Sequence, residues 1–87
     1  MRTKEAEMSV DGNTWDVCYY EWEKRLIEVE VALRRPNRKW YQSKHLYKDH
    51  SFVSTLQEAK EATTYLFDKY RKRKQEEEEL DEFFKKK

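Results

Sequence analysis

A chain of 87 residues with 43% charged and 37% hydrophobic side chains has room for one small domain with a compact core, and not for two. A formal net charge of +1 supplies no global pull toward nucleic acid or membrane, and the single cysteine, Cys18, excludes an internal disulfide. The start MRTKEAEMSV lacks an apolar signal core and no run approaches transmembrane length, so the expectation is a soluble cytoplasmic protein with no membrane partner. Three Trp, six Tyr and four Phe offset the shortage of aliphatic residues, because each ring system buries a large area. One Gly and one Pro predict few turns and long elements.

Residues 1–11 are polar and read as a flexible N-terminal segment. From Trp15 the stretch TWDVCYYEWE is rich in aromatic and β-branched residues and reads as a first strand. LIEVEVALRR alternates cleanly. Ile27, Val29, Val31 and Leu33 share one face, and Glu28, Glu30, Ala32 and Arg34 share the other. Residues 23–25 form a short connection between the two. Arg35-Pro36-Asn37-Arg38 is a turn, with Pro at a position suited to its fixed φ and Asn tolerant of the left-handed region. KWYQSKHLYKD then reads as a third strand.

SFVSTLQEAKEATTYLFDKY carries a helix signal. Ser54 or Thr55 can cap, with Gln57 or Glu58 three residues on. Leu56, Ala59, Thr63, Leu66 and Tyr70 fall on one stripe, flanked by Ala62 and Phe67, which predicts an amphipathic helix over 55–70. RKRKQEEEE places Arg73 with Glu77 and Lys74 with Glu78 at i,i+4, so the helix can run on. The expected fold is α+β: a three-stranded antiparallel β-meander packed on one C-terminal amphipathic helix (βββα). Its organisation is a flexible segment at 1–11, a domain at 12–70, and a charged helical extension or docking tail at 71–87.

Three strands followed by F-x-x-[ST]-x-x-E-A, here Phe52, Thr55, Glu58 and Ala59 after the strand containing Trp40, resemble small DNA-binding modules. These are the plant ethylene-response domain and the arm-site-binding domain of tyrosine integrases. The resemblance implies a sheet laid in the major groove with Arg and Lys on the face opposite the helix. Here Glu28, Glu30 and Asp16 fall on that face, so the similarity bears on fold more than on function.

Three groups of residues are candidates for binding. Arg34, Arg35, Arg38, Lys39, Lys44 and Lys48, interleaved with Trp40, Tyr41 and Tyr47, suit nucleic acid or an acidic protein surface. Alternatively they are solvated cations that keep a hairpin from pairing edge to edge. If Trp15, Val17 and Tyr19 face the helix, Tyr20 and Trp22 lie outside beside Glu28 and Glu30, as in a protein-binding patch. In EEEELDEFFKKK, Leu80, Phe83 and Phe84 stand apart from the core stripe beyond Arg73 and Glu77. L-x-x-F-F resembles the peptides that dock on sliding clamps, with Glu77 where those carry Gln. The segment equally suits another apolar groove, self-association, or packing on its own domain.

His45, His50 and Cys18 match no metal-site spacing, so neither a metal nor a cofactor is expected. No phosphate loop or nucleophile–base signature is present, and no enzymatic activity is expected. The functional expectation is a small non-enzymatic intracellular binding protein, of the type of a phage or mobile-element inhibitor or regulator, that occupies a partner's surface. A protein partner comes first. The alternatives are a DNA- or RNA-binding regulator using the basic hairpin, and an adaptor docking through its C-terminal peptide.

Overall fold

A computed structural model describes residues 2–85. Met1, Lys86 and Lys87, which belong to the two expected terminal segments, lie outside the described residues. The elements in chain order are β1 (Arg2–Val10), β2 (Asn13–Glu23), β3 (Leu26–Arg34), β4 (His45–Val53) and α1 (Leu56–Lys85). The strands form one antiparallel sheet in the order β1-β2-β3-β4, with α1 on one face. The α+β class is as expected, but the sheet has four strands and not three.

The added strand is the segment expected to be loose. β1 pairs with β2 along its whole length, from Arg2 opposite Glu21 to Val10 opposite Asn13. A two-residue turn, Asp11-Gly12, closes this hairpin with both residues at positive φ (53° and 78°). That is the turn whose twist matches paired strands, and Asp-Gly is among its preferred sequences. The next hairpin turns at Lys24-Arg25, with Arg25 at φ 67° and a register shift between Glu21 and Glu23.

The last strand also begins later than expected. Residues 35–44 are a loop, and β4 starts at His45. Lys39 and Gln42 explain why. The Gln42 amide donates to the Lys39 carbonyl at 3.0 Å, and Gln42 Oε1 accepts from the Lys39 amide at 3.0 Å. This turn takes Trp40 and Tyr41 out of the ladder. The Arg35 amide donates to the Lys44 carbonyl at 2.8 Å and closes the base of the loop. Asn37 sits at φ 52°, as its place after Pro36 predicts.

Ile27, Val29, Val31 and Leu33 are buried against α1, together with Trp15 and Val17 of β2 and Ala59, Ala62, Leu66 and Phe67 of the helix. The aromatics compensate for the small area. Trp15 meets Phe67 and Tyr70 edge-on at centroid distances of 5.1 and 5.0 Å, and Tyr47 lies 4.9 Å from Tyr70. Thr55 caps the helix, its Oγ1 accepting from the Glu58 amide at 3.1 Å. Lys69 pairs with Asp49, and Arg71 pairs with Asp11 in the first hairpin turn.

The helix continues unbroken through the charged block to Lys85, 30 residues in all. At 1.5 Å per residue that is about 45 Å, longer than any nine-residue strand by roughly 15 Å. Residues 71–85 are exposed throughout. No helix among the described residues is long and apolar enough to cross a membrane.

Candidate interaction surface

Because opposed residues in an antiparallel pair share a face, the register assigns the side of the sheet away from α1. Thr3, Tyr20, Glu28 and Phe52 form one row across all four strands. Glu5, Cys18, Glu30 and His50 form the next, and Glu7, Asp16, Ala32 and Lys48 the third. Arg34 and His45 stand opposite one another beyond them.

At that end Asp16 is the hub of a polar cluster. Arg34 Nε and Nη2 donate side-on to its two oxygens at 3.0 and 2.7 Å, and His45 Nε2 donates to Oδ2 at 2.7 Å. Arg34 Nη2 also donates to Glu7 Oε1, and Lys44 Nζ lies 3.9 Å from Asp16. One residue from each of the four strands takes part. The Arg34 bonds foremost, joined by His45 and opposed by partial burial, hold the Asp16 carboxyl down at about 2. This ionised, doubly clamped carboxylate ties the strands together.

In the middle row burial pushes the Cys18 thiol up, and a hydrogen bond with Cys18 pushes the Tyr20 phenol up to about 12. A thiol so placed stays protonated at neutral pH, the opposite of an activated nucleophile. The described residues hold no group of three or more His, Cys, Asp or Glu placed to bind a metal ion.

The opposite end of the face is aromatic. Tyr20 stacks on Trp22 at 6.1 Å with ring planes 28° apart, and Trp22 Nε1 donates to Glu28 Oε1 at 3.0 Å. Phe52 follows across Glu28, with His50 edge-on to it at 5.6 Å. Trp22 and Phe52 remain 49% and 55% exposed. Tyr20, Trp22, Glu28 and Glu30 thus stand together on the outer face, as the alternation predicts. Phe52 is a member that sequence reasoning missed, since the third strand was placed too early for it.

No protein-family model, curated protein sequence or solved structure matches this chain. The resemblance to three-stranded DNA-binding modules therefore rests on the residue pattern alone. The outer face adds Glu5 and Glu7 to Asp16, Glu28 and Glu30, where that resemblance implies Arg and Lys.

The basic residues gather around one end of the sheet and the 35–44 loop, but in different surroundings. Arg34 is engaged by Asp16 and Glu7, and Arg35 Nε donates to the Ser43 carbonyl at 3.0 Å. Tyr47 turns inward to the core, while Lys48 faces out. Arg38, Lys39, Trp40 and Tyr41 remain together in the 35–44 loop, where Trp40 is 91% exposed and meets Tyr41 edge-on at 5.7 Å. Lys44 stands at the loop's return, near Asp16. Leu80, Phe83 and Phe84 lie in the overhanging part of α1, exposed, with Phe83 and Phe84 edge-on at 5.7 Å.

Proposed function

We propose that the protein is a binding module that engages a partner protein through the outer face of its sheet and acts by occupying that partner's surface. One observation carries the reading. The stacked Tyr20–Trp22 pair and, across Glu28, Phe52 line one end of a face on which no helix or strand packs among the described residues. Aromatic residues gathered on an open surface are the usual anchors of protein interfaces, because they bury much area at little entropic cost. Glu5, Glu28 and Glu30 flank these aromatics, so the complementary partner surface offers apolar pockets rimmed by Lys or Arg. An inhibitor or regulator of that kind needs no chemistry of its own.

The test is affinity capture from the native cell with the wild-type chain and a Trp22→Ala/Phe52→Ala variant, each with and without nuclease. A protein retained by the wild type after nuclease treatment and lost from the variant, at an unchanged melting temperature, supports the reading. Equal capture by both overturns it.

A second reading rests on Trp40 and Tyr41 held out beside Arg38 and Lys39, an arrangement that suits stacking on single-stranded nucleic acid. It requires oligonucleotide binding that weakens steeply with salt and loses part of that slope in Lys39→Ala.

A further inference from the structure

The C-terminal half of α1 carries an ordered charge pattern. Arg71 to Lys74 are all basic, Glu76 to Glu79 are all acidic, and Gln75 stands between them. Reversing the direction of the segment exchanges its signs. Two copies laid antiparallel about a two-fold axis beside Glu76 therefore set base against acid on both sides. Lys74 of each copy comes opposite Glu78 of the other, and Arg71 comes opposite Asp81 and Glu82. A partner of single sign would suit only half of the segment.

The apolar residues fit the same arrangement. Leu80 and Phe84 lie 14 residues beyond Leu66 and Tyr70, nearly four full turns, so they continue the stripe that packs on the sheet. They continue it past the point where their own sheet ends, and stay 54% and 60% exposed. The sheet meanwhile has an uncovered strip. Four strands span roughly 19 Å, whereas one helix covers about 10 Å, and α1 packs chiefly on β3 and β4. On the same side of the sheet, Ala6 and Met8 of β1 are exposed, Met8 by 40%, and Val10 is half-buried. A trough of about 310 Å³ runs between the first hairpin turn and the helix, lined among others by Val10, Trp15, Phe67, Tyr70, Lys74 and Glu78.

We propose that two copies of the chain pair antiparallel through α1, each laying Leu80 and Phe84 over the other's β1 strip beside Phe67 and Tyr70. A two-fold axis normal to the sheet keeps the apolar stripe of each overhang turned toward the sheet plane, which is where the partner's strip lies. Arg71 is already held by Asp11 and Asp68 and Arg73 by Glu77, whereas Lys74 reaches Glu77 only at 3.9 Å, so the charge reciprocity rests most on Lys74 and Glu78. The pairing uses the side of the sheet opposite Tyr20 and Trp22, and so stands or falls apart from the function proposed above.

Sedimentation or light scattering of the full chain across a concentration series tests it, with far-UV circular dichroism to verify that each variant is helical. The wild type dimerises, and the dimer weakens as salt rises. Lys72→Glu/Lys74→Glu and Glu78→Lys/Glu82→Lys each weaken self-association about tenfold or more, since several pairs at a few tenths of a kcal/mol are reversed. Mixed together, the two variants form a heterodimer. Leu80→Ser/Phe84→Ser is monomeric with its helix retained. A wild type that stays monomeric at every concentration overturns the pairing. So do charge variants that dimerise unchanged or fail to complement, and in that case the apolar stripe serves some other partner.

Discussion

The Tyr19 hydroxyl donates to Thr63 Oγ1 at 2.8 Å, joining β2 to the N-terminal third of the helix. The direction follows from Thr63 itself, whose single proton is committed to the Ala59 carbonyl at 2.8 Å. Removing either partner therefore has a different cost. Tyr19→Phe loses one neutral bond, about 1 kcal/mol, and leaves Thr63 still paired to Ala59. Thr63→Val strands the tyrosine proton in a partly buried site and costs about 1–3 kcal/mol. In urea denaturation the double variant is destabilised by less than the sum of the two, because the second change finds the bond already gone.

Val31 is fully buried at the centre of the sheet, and Val31→Asp places a carboxylate there with no partner. The expected loss of several kcal/mol is a large part of the stability of so small a domain. The variant should show no cooperative thermal transition. A melt near the wild-type midpoint would remove the Ile27/Val29/Val31/Leu33 face from the core.

Acid should unfold the protein in a defined window. Asp16 is depressed from 3.8 to about 2 in the folded state, so its contribution is complete above 3.8 and is lost as pH falls from there toward 2. Asp49 acts in the same direction: Lys69 and its hydrogen bonds outweigh the burial that would raise it. Asp16→Asn should cost about 1.5–3 kcal/mol at neutral pH, through its bonds to the Arg34 guanidinium. Its melting temperature should then fall less than the wild type's between pH 4 and pH 2.

Gly12 sits at φ 78° with nothing within 4 Å of the place a Cβ would occupy. The cost of Gly12→Ala is then backbone strain alone, about 1 kcal/mol, and Gly12→Asn should cost less because Asn tolerates this region. Chemical denaturation of the three proteins measures the difference.

Where both the inward and outward sides of an element have a fixed environment, the chain shows it. Ile27, Val29, Val31 and Leu33 alternate because α1 covers every one of them. Thr55 and Glu58 mark the cap, and Pro36-Asn37 marks a turn. β1 shows only part of that contrast: on its helix side Ala6, Met8 and Val10 are apolar but Arg2 and Lys4 are not, and all except Val10 are exposed, so its own fold reads weakly in the pattern. Its readable signal was the Asp11-Gly12 turn. The outer positions of Tyr20 and Trp22 followed from alternation alone. The surroundings of the basic group were not legible, since proximity along the chain says nothing about which way a side chain points: Arg34 turns to Asp16 and Glu7, Arg35 to Ser43, and Trp40 to solvent.

In the order β1-β2-β3-β4 every strand touches only its neighbours in the chain. Two of the three closures are two-residue turns, and the third spans residues 35–44. Little loop entropy opposes the first two, so the sheet can assemble by successive zippering, each hairpin templating the next. For an α+β protein this places folding at the faster end of the range, with closure of the 35–44 loop as the slowest local event. Shortening that loop should then accelerate folding, while lengthening the overhang of α1 should leave the rate unchanged.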